Sequence, residues 1–161
     1  MEASEDVAAK IPTAADVMVR RVHTIRSDAD VDEAVRLLLR HGHSGAPVVD
    51  SEGVPQGVLS EHDCIRVLAQ TLADHRPEGH VSAHMTTEIE TVPASEDILA
   101  IAGRFASGRH RRLLVVDDGR LVGLISRRDL LRALEELDRR MTRGRKPSTY
   151  DAMEKRHRDL D

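Results

Sequence analysis

Gly57-Val58-Leu59-Ser60-Glu61-His62-Asp63 returns downstream as Gly123-Leu124-Ile125-Ser126-Arg127-Arg128-Asp129. Working outward, Ala46-Pro47-Val48-Val49-Asp50 returns as Leu113-Leu114-Val115-Val116-Asp117. Further out, Asp16-Val17-Met18 with Val22-His23-Thr24-Ile25 returns as Ala83-His84-Met85 with Ile89-Glu90-Thr91-Val92. The matches keep their order, so the chain holds two copies of one unit. Each copy is about 60 residues, a size that is marginal when folding alone. The copies are therefore expected to bury their apolar faces against each other, and every functional residue is half of a pair.

Both copies read as strand, helix, strand, strand, helix. In the first, Val22 to Ile25 is a short strand, and Val31, Ala34, Val35, Leu38 and Leu39 form one apolar stripe on a helix over Asp30 to Arg40 that Gly42 ends. Ala46 to Val49 is a strand, Ser51-Glu52-Gly53 a turn, and the next strand ends at Leu59 before a helix over Glu61 to Leu72. In the second, Glu90 to Val92 is a strand and Glu96 to Ser107 a helix; strands Arg112 to Val116 and Leu121 to Ile125 flank Asp118-Gly119. The closing helix is expected from Arg127 to about Arg140. The divisions predicted are a lead-in over 1–10, a first repeat over 11–73, a linker over 74–80, a second repeat over 81–138 and a charged tail over 139–161. In that tail Tyr150, Met153 and Leu160 suggest a sparse apolar stripe on a marginal helix.

The chain has 161 residues, no Trp, one Tyr and one Phe. The core must therefore be aliphatic, and the stacking platforms of single-stranded nucleic-acid binding are missing. A net charge of −4 supplies no pull toward nucleic acid or an anionic membrane. The one cysteine, Cys64, makes no internal disulfide and fits a reducing compartment. No apolar run approaches the roughly 18 residues of a membrane span, and the acidic, Ala-rich stretch from Met1 to Lys10 is not a signal peptide. A cytoplasmic setting is expected. Asn is absent and Arg outnumbers Lys, as in GC-rich bacterial genomes.

Ser60 and Ser126 stand where an apolar strand gives way to a helix, each with an Asp three residues on. One reading is a capping box, in which Ser accepts a first-turn N–H and Asp reaches back. The other is a ligand site: free N–H groups at a helix start attract phosphate, and the neighbouring carboxylate accepts ribose hydroxyls in charge-assisted bonds. Arg111 and Arg112, after Gly108-Arg109-His110, are suited to bidentate phosphate binding or form a solvated basic turn. His41 and His43 have no Cys/His or Glu cluster at metal-site spacing. Gly42-His43-Ser44-Gly45 is not a hydrolase elbow, and neither a Walker motif nor Gly-x-Gly-x-x-Gly occurs. No catalytic constellation is expected, and Cys64 reads as a small core residue rather than a reactive thiolate.

Over about residues 11–138 these features resemble a tandem pair of CBS domains, the Bateman module. The resemblance rests on the repeated Asp-Val-Met start, the apolar-apolar-Asp strand and turn, and the Gly-x-x-Ser-x-x-Asp ending. It implies an α/β (α+β) fold of two βαββα repeats about a pseudo-twofold axis, with two clefts for adenosine-containing ligands such as AMP, ATP, S-adenosylmethionine or NAD. One cleft would take Ser126, Arg128 and Asp129 with Arg111 and Arg112 on phosphate, Thr13, Val17 and Met18 around the base, and His43 and Ser44 nearby. The other would take Ser60, His62 and Asp63 with His80, Val81, Met85 and His110. Gly45 there replaces an Arg, and His80 replaces the Thr found at Thr13, so the Asp129 cleft is expected to bind more tightly. The resemblance also implies a homodimer formed through helices Asp30 to Arg40, Glu61 to Leu72, Glu96 to Ser107 and Arg127 to Leu137. The function expected is nucleotide sensing with a conformational signal to a protein target; the alternative is an interaction module whose clefts stay empty.

Overall fold

The computed structural model describes residues 10–76 and 79–143. The first repeat contains β1 (Ile25–Arg26), α2 (Val31–His41), β2 (Gly45–Val49), β3 (Pro55–Ser60) and α3 (Glu61–Asp74), preceded by a single turn α1 (Ala14–Val17). After a 3-10 turn over Val81–Ala83, the second repeat contains β4 (Thr91–Pro93), α4 (Ile98–Ser107), β5 (Arg112–Asp117), β6 (Arg120–Ser126) and α5 (Arg127–Arg143). The mixed α+β order is the one expected, twice over. Each repeat makes one three-stranded sheet, β1-β2-β3 and β4-β5-β6. The first pair in each sheet is parallel and the second antiparallel. The chemistry of the connections explains this: a parallel pair needs a crossover, supplied by α2 and α4, whereas β5 and β6 need only a tight turn. Asp118 and Gly119 supply it, with φ of 52° and 75°, the pair of positive values that a twisted two-residue hairpin requires.

The element ends differ from the sequence reading in ways the hydrogen bonds explain. β1 is shorter and later than expected, because only Ile25 and Arg26 find partners, Val48 and Val49. α4 starts at Ile98 because the Asp97 carboxylate accepts the N–H groups of Leu99 and Ala100 and so caps the helix there. α5 runs on to Arg143, helped by the Glu135–Arg139 and Glu136–Arg140 pairs at i, i+4. α1 and the Val81–Ala83 turn were not foreseen; elements this short carry no readable period. The expected tail beyond Gly144 lies outside the described residues.

Two aliphatic cores form, and each recruits a segment from across the expected repeat boundary. Val92, Ile98, Ile101, Leu113, Val115 and Ile125 of the second repeat close around Ala14 from the start of the chain. Ile25, Leu38, Val48 and Leu59 of the first repeat close around Val81. Backbone bonds fix both exchanges. Val19 and Leu124 pair in both directions at 2.9 and 3.0 Å, and Val58 and Thr86 do so at 2.9 Å. The arms thus extend the opposite repeat's sheet, which is how two marginal units become one. Burying a side chain such as Val81 is worth about 1.5–3 kcal/mol. Cys64 belongs to the first core, and burial pushes its thiol pKa up, so it is a packing residue.

Met18 and Met85 sit at the ends of these arms, directly over Gly123 and Gly57. A Cβ on Gly57 would lie 2.5 Å from the Thr86 carbonyl oxygen. The Gly of the repeated signature is therefore the seat for the Met of the repeated start.

Candidate functional site: a cavity between the repeats

The last strand of each repeat delivers a Ser to the first turn of the following helix. Ser60 accepts the Asp63 N–H at 3.2 Å, and its own hydroxyl and amide donate to Asp63 Oδ2 at 2.7 and 2.9 Å. Ser126 and Asp129 repeat this at 3.2, 2.6 and 2.9 Å. The capping-box geometry is thus present in both copies. The surroundings of the two carboxylates differ: Arg66 Nη2 lies 3.5 Å from Asp63 Oδ1, and no such ion pair reaches Asp129 among the described residues. Burial alone would raise the Asp63 pKa. The Ser60 hydroxyl, the Ser60 amide and Arg66 together outweigh it and hold the carboxyl below its ordinary value.

That shift has a signed consequence. A carboxyl with a lower pKa folded than unfolded adds stability above the unfolded value, near 3.9, which disappears as pH falls through the folded value. His41, whose imidazole is pushed down first by burial and then by His23, His43 and Arg40, acts in the same sense beginning near pH 6.5. Thermal melting at stepped pH should therefore show stability falling in acid, and Asp63→Asn should flatten the fall below about pH 4. An unchanged acid limb in Asp63→Asn would contradict this account.

Between the two Ser-bearing helix starts lies a cavity of about 770 Å³, well inside the roughly 300–1,000 Å³ of small-ligand sites. Residues 44–47, 58 and 60–62 of the first repeat line it, with residues 86, 88–90, 110–112, 114, 124 and 126–128 of the second. Ala46, Pro47, Val58, Ile89, Leu114 and Leu124 are its apolar wall. Arg111, Arg112, Arg127 and Arg128 contribute cationic groups to its lining, and Glu61, Glu88 and Glu90 acidic ones. Arg112 also reaches across to Ser44 Oγ at 3.3 Å, tying β5 to the start of β2. Glu90 is held in place by Arg104 at 3.3 Å, which in turn bonds Glu96 at 3.0 Å; Glu96 and Glu90 both push the Arg104 pKa up. A second, smaller pocket of about 230 Å³ adjoins it, sharing Gly45, Pro47, Arg112, Leu124 and Ser126 and adding Val19, Arg21, Val22, His23 and His43.

Residues of both repeats line the cavity, two related half-sites facing one another. The model of the CBS domain matches residues 14–70 and again 80–136. The chain belongs to the CBS-domain family. Its CBS pair is similar to the crystal structure of CBSX2, a protein from Arabidopsis thaliana, in complex with AMP: the TM-score is 0.67 at 30% identity, covering 79% of this chain and 98% of that one. It is 31% identical over 116 residues to the CBS domain-containing protein YhcV of Bacillus subtilis, covering 71% of this chain and 80% of YhcV. Other relatives are longer. The chain spans 41% of the uncharacterized protein MJ1225 of Methanocaldococcus jannaschii, at 29% identity. It spans 23% of an inosine-5'-monophosphate dehydrogenase of Chlorobaculum parvum, at 33%.

Within the CBS pair, the large cavity brings together Ser44, Ser60, His62, His110, Arg111, Arg112, Ser126 and Arg128 of the expected site residues. His43 lines the small pocket. Asp63 and Asp129 lie behind their serines rather than on either wall. Thr13, Val17, Met18, His80, Val81 and Met85 are not among the residues lining either cavity. Thr13 bonds Asp16, Val17 and Met18 pack on the second core, His80 faces Asp30 at 3.3 Å, and Val81 and Met85 belong with the first core. The expected partition of the arginines also differs: Arg111 and Arg112 line the larger cavity together with Ser60 and Ser126, so they are not confined to the Asp129 side. Sequence reasoning missed Thr86, Glu88, Ile89 and Glu90, and in the small pocket Val19, Arg21, Val22 and His23. These lie on extended arms that follow a Met of each repeat; the sequence marks Val22, His23, Ile89 and Glu90 as a repeated segment but not as site residues.

The described residues contain no helix long and apolar enough to cross a membrane.

Proposed function

We propose that this CBS pair senses an adenine nucleotide of the AMP type in the large cavity and passes the change in packing to a protein target. The observation that carries this is the 770 Å³ cavity whose lining combines four arginines with a set of aliphatic side chains. Arg111, Arg112, Arg127 and Arg128 would hold the phosphate, and the wall including Val58, Ile89 and Leu124 would take the base. The structure of the similar CBSX2 with AMP supports the ligand class. ATP, S-adenosylmethionine and NAD share the adenosine part and are the competitors to compare. The role is binding, not turnover. Ser60 and Ser126 each donate to a carboxylate that also accepts the backbone N–H of the same serine, so both groups are engaged in helix capping. Adenine nucleotides at a hundred times their dissociation constant should stabilise the protein by about 2.7 kcal/mol. No thermal shift with any of the four would sink the sensor reading and favour the empty interaction module.

Self-association in a cytoplasmic setting completes the proposal. Ile65 and Leu72 on α3 and Leu131 on α5 are exposed by 67, 76 and 67%. Ile65 and Leu131 occupy matching places in the two repeats, an arrangement suited to a twofold homodimer. Light scattering at micromolar concentration should give twice the monomer mass, and Ile65→Glu with Leu131→Glu should return it to the monomer. A monomer mass for the unaltered chain would remove this part.

A further inference from the structure

Three histidines from two segments of the chain meet at one corner of the first repeat. His41 ends α2 and His43 precedes β2, on either side of Gly42, which turns the chain with φ of 63°. His23 comes from the arm that pairs, through Val19, with Leu124 of β6. His23 Nδ1 lies 2.9 Å from His43 Nε2, and its ring stacks on His41 with centroids 3.7 Å apart and planes at 16°. The arm is thus held at both ends, by β6 of the second repeat at Val19 and by the α2–β2 corner of the first at His23.

The fastening at the corner holds only while the rings are short of protons. An N–H···N bond between two imidazoles needs one of its two nitrogens bare, and a 3.7 Å stack sets two charged rings in contact. Nothing beside them offsets such charge. Arg40 of α2 acts on His41, and Arg21 of the arm and Arg112 of β5 line the adjoining small pocket. That pocket has no carboxylate in its lining; Glu61, Glu88 and Glu90 line the large cavity instead. The His41 imidazole, pushed down by burial, His23, His43 and Arg40, registers the same crowding. The second repeat shows the contrast. At the places matching His23, His41 and His43 it has Glu90, Gly108 and His110. Glu90 and His110 face each other at 3.8 Å, and a proton on His110 strengthens that contact.

We propose that the His23–His41–His43 cluster is a proton-released clasp, which opens in acid and frees the arm over residues 19–23 from the first repeat while the matching arm stays closed. Each imidazole that gains a proton on opening pulls the equilibrium toward the open arm. The device does not depend on what the large cavity binds, and its test needs no ligand.

Amide hydrogen exchange on the full chain, corrected for the intrinsic effect of pH, reads the opening at Val19 and Leu124, whose amides bond each other's carbonyls at 2.9 and 3.0 Å. From about pH 7.5 to about pH 5.5 the opening should increase, by up to about tenfold per pH unit below about 6.5 for each imidazole charged. Val58 and Thr86, the pair that holds the matching arm, should not respond. His23→Gln, which cannot charge, should abolish most of the response. His23→Glu, which rebuilds the Glu90–His110 arrangement, should invert it, because a carboxylate there gains a cationic partner as His43 charges. Circular dichroism melting checks that both variants fold, which the exposure of His23 favours. Opening at Val19 that is flat with pH, equal at the two arms, or unchanged in His23→Glu overturns the proposal.

Discussion

Gly57→Ala is expected to lower the melting temperature by about 6–12 °C, because its new Cβ meets the Thr86 carbonyl at 2.5 Å and Met85 Sδ at 2.9 Å. The obstacle is backbone, and it belongs to a segment held by two 2.9 Å bonds with Val58. Relieving the clash pushes the arm off the sheet. Overpacking of about 1–3 kcal/mol then combines with two weakened hydrogen bonds of about 1 kcal/mol each, and about 3 kcal/mol is a fair central figure. Thr86 also lines the large cavity, so ligand affinity should fall with stability. Gly123→Ala meets the side chain of Met18 instead, a flexible group that can move, and should cost less. Gly103→Ala is the control: nothing lies within 4 Å of its Cβ position on α4, and removing a helical glycine should stabilise by about 0.5–1 kcal/mol. Calorimetry of the three variants checks the order, and a Gly57→Ala protein as stable as the parent would refute the seat-and-arm packing.

Arg111→Ala with Arg112→Ala should weaken AMP binding by about a hundredfold or more, each lost charge-assisted contact being worth about 1.5–3 kcal/mol. The two arginines do not contribute to stability in the same measure, since both are exposed, so the fold should survive. Adenosine, lacking phosphate, should bind parent and variant alike. Titration calorimetry with both ligands separates phosphate recognition from a general loss of the cavity. Equal loss of AMP and adenosine binding, or no loss of either, would show that the phosphate is held elsewhere.

Much of the architecture was legible in the sequence because it is local and doubled. The period of α2, the apolar runs of β2 and β5, the Asp118-Gly119 turn and the Ser-x-x-Asp caps are each written within a few adjacent residues, and each occurs again in a second copy or a close equivalent. Where a single capping side chain decided an end, as with Asp97 at α4, the boundary slipped. The site was legible only in part. Ser60, Ser126, Arg111 and Arg112 sit on elements the pattern reveals, whereas Thr86 to Glu88 and Val19 to Arg21 have neither period nor propensity to mark them, and Val22, His23, Ile89 and Glu90 are marked only as repeated strand starts.

The sequence by itself determined the two βαββα units, the aliphatic core and the paired Ser-Asp helix starts, since these follow from side-chain period and capping chemistry. Tertiary structure alone decided that Ala14 packs in the second core and Val81 in the first, that Met18 and Met85 lie over Gly123 and Gly57, and that the basic residues Arg111 and Arg112 face one large cavity between both halves. The reason is physical: exchange of arms is settled by hydrogen bonds and close contacts between residues far apart in the chain, and no local pattern encodes which copy of a repeated sheet an arm will join.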